Sequence, residues 1–136
     1  MELKDVILKR KSVRVFQDKE VPDLSEIIAL AKKCPSAGAI RGYDIILTKD
    51  KIAPYDAPLY AVILTNPDTY AKYGKRGWRL YSIQDATIFG AYLQLLLTDM
   101  GLSSVWIGAF REERIQRDIK TNLRPIAIIA IGYKNE

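Results

Sequence analysis

Two arginines, a lysine and a serine occur together near the N-terminus, in the run Arg10-Lys11-Ser12-Val13-Arg14. A guanidinium presents paired donors to a phosphate, and a serine hydroxyl adds a neutral donor beside it. The run is therefore a candidate phosphate-binding site. Short basic runs are also common on solvated surfaces, and spacing alone favours that simpler interpretation.

Two later stretches could contact a ligand ring. The run Pro35-Ser36-Ala37-Gly38-Ala39 has small side chains that let a ring or another backbone approach closely. The stretch 101–108 places Trp106 in an apolar run and ends in Gly108, whose backbone N–H a ligand could reach. Composition alone favours an ordinary loop for the first and a core strand with a buried tryptophan for the second.

Composition excludes several kinds of site. The chain of 136 residues has a net charge of +5, no histidine and one cysteine, Cys34. The commonest general base and transition-metal ligand is therefore missing, and no metal site is predicted. Neither GxGxxG nor GxxxxGK[ST] is present. We expect one domain over 1–136 in a reducing cytoplasm, with no membrane segment and no nucleic-acid partner.

Hydrophobic periodicity predicts the order helix, helix, strand, strand, helix, strand, helix, strand. The predicted elements are a helix over 2–10, an extended segment around Val13 and Val15, a helix from Pro22 or Asp23 to before Pro35, strands Tyr43–Thr48 and Leu59–Thr65, a loop or short helix Asn66–Trp78, a long helix between Ser82 and Gly101, strand Ser104–Ile107, helix Glu112–Lys120 and strand Pro125–Gly132. Helices on a small sheet are typical of the α+β or α/β class.

The long helix is apolar around nearly its whole circumference. We expect Ser82 to cap its N-terminus, Asp85 to lie in its first turn, and Gly101 to supply the left-handed residue that ends it. A helix that is apolar all round is buried on all sides. Because one small domain can hardly cover both faces, we predict that a second subunit covers one of them.

In this order, the motifs resemble the nitroreductase family of flavin-dependent oxidoreductases. The matching motifs are RxSxR over 10–14, PSAG over 35–38, GLSSVWIG over 101–108 and PIAIIAIGY over 125–133, which together span nearly the whole chain. The resemblance implies an α+β fold of three layers, α/β/α, around a small mixed, mainly antiparallel sheet. It also implies an intertwined homodimer in which the long helix is central.

The resemblance further implies that FMN binds between the subunits. The N-terminal motif would contact the phosphate, ribityl chain and pyrimidine edge, while the PSAG residues of the other subunit would pack along the ring. Trp106 and Ile107 would back one ring face, and the N–H of Gly108 would point at flavin N5. The implied cofactor-binding set is Arg10, Lys11, Ser12, Arg14, Pro35, Ser36, Ala37, Gly38, Arg41, Trp106, Ile107, Gly108 and Lys134.

The implied function is an oxidoreductase that passes hydride from NADH or NADPH through FMN to a small flat acceptor, such as a nitroaromatic or a quinone. An FMN-binding protein of this fold with little or no turnover is the alternative. A cation, Arg10 or Arg14, would stabilise the charge on the reduced pyrimidine edge. On this assignment, Arg14→Ala weakens FMN binding by about tenfold or more.

A basic and aromatic segment precedes the long helix, and its function stays open between two interpretations. Its members are Lys72, Lys75, Arg76 and Arg79, alternating with Tyr70, Tyr73 and Trp78. They could form a lid that receives an anionic substrate or the nicotinamide phosphate. They could equally form a solvated helix face.

Overall fold

The computed structural model describes residues 1–135, and its centre is a four-stranded sheet. The strands are β1 (Tyr43–Thr48), β2 (Leu59–Thr65), β3 (Ser103–Ile107) and β4 (Arg124–Gly132). Their order is β1-β2-β4-β3, and every neighbouring pair is antiparallel. The central strands β2 and β4 are the two longest apolar runs, as expected for strands covered on both faces.

Helices and loops cover both faces of this sheet. The helices are α1 (Leu3–Lys9), α2 (Ser25–Ala31), α3 (Tyr70–Arg76), α4 (Ser82–Asp99) and α5 (Glu112–Asp118), with 3-10 turns at Ala37–Ala39 and Pro67–Thr69. On one face, Phe89 and Leu93 of α4 pack in a core with α2 and the sheet. On the other, Ile115 of α5 packs among apolar side chains of β2, β3 and β4. The predicted α+β fold is confirmed.

The long helix ends as predicted. Gly101 has a φ of +86°. Its N–H bonds to the carbonyl of Thr98, and the N–H of Leu102 bonds to the carbonyl of Leu97. This pair of bonds is the Schellman arrangement, which satisfies the last carbonyls of a helix. Leu97 and Leu102 are both buried beneath it.

The helix begins at Ser82, as predicted, but the predicted capping role of Ser82 is wrong. Ser82 has helical dihedral angles, φ −63° and ψ −37°, and its hydroxyl donates to the carbonyl of Trp78 at 2.6 Å. A π-helical segment, Gly77–Tyr81, continues directly into α4. Because this segment already provides carbonyl partners for the first N–H groups of α4, no side-chain cap is needed.

The two ends of the chain lie side by side. Ser12 forms a single parallel bridge to Ser104, and Phe16 forms an antiparallel one to Lys134. The N–H of Gln17 also donates to the carbonyl of Tyr133 at 2.8 Å. This pairing carries the end of α1 to the end of β4. Within residues 1–135, no helix has the length and apolarity needed to cross a membrane.

Candidate functional site

A cavity of about 370 Å³ opens between the C-terminal ends of α1 and α4 and the residue Lys134. We call it the cationic cavity. Its lining residues are Leu8, Lys9, Arg10, Lys11, Val13, Thr98, Gly101, Leu102, Ser103 and Lys134. The structure therefore groups three of the predicted cofactor-binding residues, although more than a hundred positions separate Lys11 from Lys134.

The charges in this cavity repel one another. The side-chain contact with Lys134 and the repulsion between the two ammonium groups lower the pKa of Lys11. Among the described residues, no ion pair involves Arg10, Lys11 or Lys134. Clustered cations without a carboxylate are suited to an anion that carries several acceptor oxygens.

Two other members of the N-terminal motif lie differently. The guanidinium carbon of Arg14 is 5.9 Å from the ring centroid of Tyr55, and Arg14 does not line the cationic cavity. Ser12 is exposed, and its backbone pairs with Ser104 at the edge of β3. The motif thus spreads its side chains over more than one surface.

A second cavity, of about 640 Å³, lies beside the start of α4. We call it the apolar cavity. Its lining residues are Pro35, Ser36, Ala37, Tyr81, Ile83, Gln84, Asp85, Thr87 and Ile88. Three of the four PSAG residues are therefore together in its wall, about 20 Å along α4 from Thr98 in the cationic cavity.

Asp85 anchors the PSAG loop. The N–H of Ala37 donates to both carboxylate oxygens of Asp85, each at 3.1 Å. Burial raises the pKa of this carboxyl, and the hydrogen bond from Ala37 opposes that rise. The sequence predicts for Asp85 only a favourable interaction with the helix dipole. A carboxylate among apolar helical neighbours was the signal that it has a buried partner.

The backbone after Ala37 is held in an uncommon conformation. Gly38, Ala39 and Arg41 all have φ between 57° and 59°, a left-handed region that non-glycine residues seldom occupy. The Nε of Arg41 donates to the carbonyl of Lys32 at 3.0 Å. The side chain of Arg41 is thereby held at the end of α2 and is not among the residues lining either cavity.

The last motif lies along β3. Trp106 packs against Gly90 of α4 so closely that a Cβ at Gly90 would lie 2.5 Å from the indole. Ile107 is buried in the core on the other face of the sheet. Gly108 is exposed and lines a cavity of about 240 Å³. Ile83 lines both this cavity and the apolar cavity, so the two are neighbours.

The face of α4 turned away from the sheet is only partly covered. At helical spacing it presents Gln84, Thr87, Ile88, Ala91, Tyr92 and Leu95, which we call the α4 stripe. Tyr92 is 42% exposed. The first three of these residues also line the apolar cavity. A single protomer therefore buries one side of this helix, and the predicted burial on all sides needs a further partner.

Comparison with known proteins gives consistent matches. The model of the nitroreductase family matches residues 47–133. A protein of Methanothermobacter thermautotrophicus, provisionally named an NADH dehydrogenase/NAD(P)H nitroreductase, is 27% identical over 157 residues, covering 100% of this chain and 79% of that protein.

Solved structures extend the likeness to the fold. A nitroreductase family protein from Clostridium novyi NT superposes with a TM-score of 0.85 at 25% identity, over 100% of this chain and 87% of that one. An FMN-dependent nitroreductase from Clostridium difficile R20291 gives a TM-score of 0.79 at 26% identity, over 96% of this chain and 87% of that one.

Proposed function

This chain belongs to the nitroreductase family, a family of flavin oxidoreductases, and we propose that it is an FMN-dependent enzyme that passes hydride from NADH or NADPH to a small flat acceptor. A nitroaromatic or a quinone is an acceptor of this kind. The observation that carries the proposal is the grouping of Arg10, Lys11 and Lys134 around one cavity, with no carboxylate from residues 1–135 paired to them.

The cationic cavity fits the phosphate of FMN. Its two ammonium groups repel each other strongly enough to lower the pKa of Lys11, and a bound dianion removes that repulsion. The guanidinium of Arg10 adds paired donors. Ser12, which lies next to Lys11 in the exposed strand-like segment, is proposed to reach the ribityl chain. The anionic half of FMN therefore has a matching set of donors in this chain.

The apolar cavity fits the flat ring. We propose that the phosphate and the ring of one FMN bind to different subunits, so that the apolar cavity is supplied by the partner. Within one protomer the two cavities lie about 20 Å apart along α4, which the short ribityl chain cannot bridge. A homodimer that pairs the cationic cavity of one subunit with Pro35–Gly38 of the other removes this difficulty. The cofactor would then lie between the subunits, in a single FMN-binding domain over 1–136.

The α4 stripe supports this homodimer. Its members Gln84, Thr87 and Ile88 line the apolar cavity, so a partner that covers the stripe also closes that cavity. Further apolar side chains of α1 are exposed in one protomer, including Leu3 at 66% and Leu8 at 82%. Large apolar side chains that are exposed in one protomer would be buried in an interface between two copies of the chain.

When bound, FMN supplies the two-electron redox chemistry, and the chain supplies binding, orientation and electrostatics. Trp106, which packs against Gly90 of α4, is proposed to back one face of the ring. The exposed N–H of Gly108 is proposed to donate to the ring edge, a preorganised contact worth about 3 kcal/mol. Arg14 and Arg41 remain predicted contacts, for which the side-chain positions give no support.

The visible absorption spectrum of the purified protein tests the proposal. We expect a yellow protein that releases FMN on denaturation, identified by chromatography, and that bleaches with NADH or NADPH without oxygen. A yellow protein that neither reductant bleaches would favour the FMN-binding alternative without turnover. A colourless protein that does not bind added FMN would overturn the proposal.

A further inference from the structure

We propose that Lys72 and Arg76, which lie over the rings of Tyr73 and Tyr81, form a recognition site for an anionic group of the acceptor or of the nicotinamide donor. The inference rests on the proposed function, in which the flavin ring lies in the apolar cavity. A substrate that reacts with that ring would lie beside Lys72 and Arg76. The proposed site assigns a ligand class to the basic and aromatic segment before α4, which the family membership leaves unassigned.

The two cations and two rings form one cluster. The ammonium of Lys72 is 5.4 Å from the ring centroid of Tyr73, and the guanidinium carbon of Arg76 is 5.6 Å from that of Tyr81. The rings meet edge to face, with centroids 5.2 Å apart and planes at 83°. The Nε of Arg76 also donates to the hydroxyl of Tyr81 at 3.3 Å. Cation–π contacts of this kind hold both charges in defined positions.

The cluster lies at the rim of the apolar cavity. A Cβ on Gly38 would lie 2.7 Å from the hydroxyl of Tyr73 and 3.2 Å from the ammonium of Lys72. Gly38 thus permits the close approach of this segment to the PSAG loop. Tyr81 itself lines the cavity together with Ser36 and Ala37.

The charge at this rim is not neutralised. Within residues 1–135, none of the ion pairs involves Lys72 or Arg76. The carboxylate of Asp85 in the cavity wall is already engaged by the N–H of Ala37. Two cations beside a largely apolar wall favour a ligand that carries both an aromatic ring and an anionic group.

Gly74 divides the segment into two parts. Its φ of 62° and ψ of −146° lie in a region that is essentially restricted to glycine. Lys72 and Tyr73 are therefore carried by one turn, and Arg76 and Tyr81 by the next. The break allows the part before Gly74 to lie against Gly38, while the part after it carries Tyr81 to the wall of the apolar cavity.

The anionic group has two possible sources: a carboxylate on the acceptor, or the additional ribose phosphate that distinguishes NADPH from NADH. Matched probes separate them. The acceptors are para-nitrobenzoate and its neutral analogue para-nitrobenzamide, and the donors are NADPH and NADH. The test variant is Lys72→Gln/Arg76→Gln. Its control, Lys75→Gln/Arg79→Gln, removes the same charge from exposed residues of the same segment that contact no ring.

In the test variant, we expect kcat/KM to fall about tenfold for the anionic member of one pair and less than about twofold for its counterpart. A fall for para-nitrobenzoate assigns an acceptor carboxylate, and a fall for NADPH alone assigns the ribose phosphate. Equal losses for charged and neutral probes, or the same loss in the control variant, would overturn the inference.

Equilibrium binding of the four probes to the purified protein, as isolated, gives a second readout. If the protein binds FMN but does not turn over, the proposed activity fails while the same tenfold selectivity in Kd still supports this site. If turnover is normal and the Kd values of the charged and neutral probes change equally, the proposed recognition site is refuted and the proposed activity is retained.

Discussion

The cationic cavity and the apolar cavity lie at opposite ends of α4, and their walls are organised in contrasting ways. In the cationic cavity, the ammonium groups of Lys11 and Lys134 lie close enough for their repulsion to lower the pKa of Lys11. In the apolar cavity, Asp85 and Ala37 satisfy each other within the protomer. The first wall groups like charges, whereas the polar groups of the second wall are paired with each other.

The contrast has a consequence for assembly. A cavity that lacks a counter-charge is completed by an ion, but an open apolar wall is completed by another surface. The α4 stripe continues from the apolar cavity along the helix. The two halves of the proposed site would therefore depend on FMN and on the second subunit, respectively. Four predictions separate these dependencies.

The largest effect is expected for Tyr92→Asp, on the α4 stripe. Burying a carboxylate in the proposed interface should weaken dimerisation by about 3 kcal/mol, roughly a hundredfold or more. The variant should lose FMN although the residues of both cavities are unchanged. Analytical ultracentrifugation and the flavin absorbance of the same sample measure both effects.

Tyr70→Asp is the matched control for oligomeric state, since Tyr70 is 53% exposed but lies on α3, away from the stripe. It should sediment as the parent protein does. A Tyr92→Asp protein that dimerises normally would refute the proposed interface. A monomer that retains FMN would show that one protomer holds the whole site.

Arg10→Ala should have the next largest effect. Loss of a charge-assisted hydrogen bond to a phosphate costs about 2 kcal/mol, which corresponds to roughly thirtyfold weaker FMN binding. Arg14→Ala sharpens the comparison, because Arg14 lies beside Tyr55 instead of lining the cationic cavity. Flavin titration gives the Kd for FMN of both variants and so compares the contributions of the two arginines to FMN binding.

The sequence predicted at least a tenfold loss for Arg14→Ala, and the structure leads us to expect a smaller loss than for Arg10→Ala. Equal losses would mean that Arg14 reaches the cofactor from outside this cavity. An unchanged Kd for Arg10→Ala would show that the phosphate of FMN does not bind in the cationic cavity.

Lys134→Gln should change stability and binding in opposite directions. Removing one ammonium relieves the repulsion on Lys11, so the flavin-free protein should melt at a higher temperature, while FMN binds several-fold more weakly. The pKa of Lys11 is lowered in the folded state. Its contribution to the free energy of unfolding is therefore fully present above the ordinary value of 10.5 and is lost as pH falls through the folded pKa. In Lys134→Gln, this dependence of stability on alkaline pH should be weaker.

Differential scanning fluorimetry with and without FMN measures both effects. Lys33→Gln, an exposed lysine that lines neither cavity, should change neither. A Lys134→Gln protein that is both less stable and a weaker FMN binder would show that Lys134 has a structural role beyond charge.

The smallest effect is expected at Asp85. Because burial raises its pKa in the folded state, its contribution to stability is fully present below the ordinary value of 3.8 and is lost as pH rises through the folded pKa. Asp85→Asn keeps an acceptor for the N–H of Ala37 and removes the charge. Its stability relative to the parent should therefore increase with pH, as urea unfolding in acid and at neutrality would show.

Asp85→Ala is the comparison, because it removes the acceptor as well and should cost about 1–3 kcal/mol at either pH. If Asp85→Asn and Asp85→Ala were equally destabilised, the negative charge itself would be what holds the PSAG loop.

Local sequence patterns determined much of the scaffold. The period-two and continuous apolar runs predicted β1 and β2 with the bounds that the structure shows. Gly101 marked the end of α4 because few other residues adopt its φ. The ordered motifs indicated the nitroreductase family, which the family match confirms. These features depend on short-range sterics and hydrophobic patterning, which a sequence records directly.

Other features needed the tertiary structure. Serine is a residue type that often caps helices, yet the π-helical segment before Ser82 supplies the backbone partners instead. No local sequence pattern revealed that segment. Asp85 meets Ala37 across forty-eight positions. Arg10 and Arg14 belong to one motif, but only the folded chain shows which of them lines the cavity with Lys134.

Local sequence patterns predicted the strands, the end of α4 and a set of candidate residues for binding an anionic flavin. The tertiary structure decided which of those residues meet. It did so because the pairing of Phe16 with Lys134 brings the two chain ends together, and because α4 is long enough to keep the cationic and apolar cavities apart. Contacts between distant positions depend on how whole elements pack, and local composition does not encode that packing.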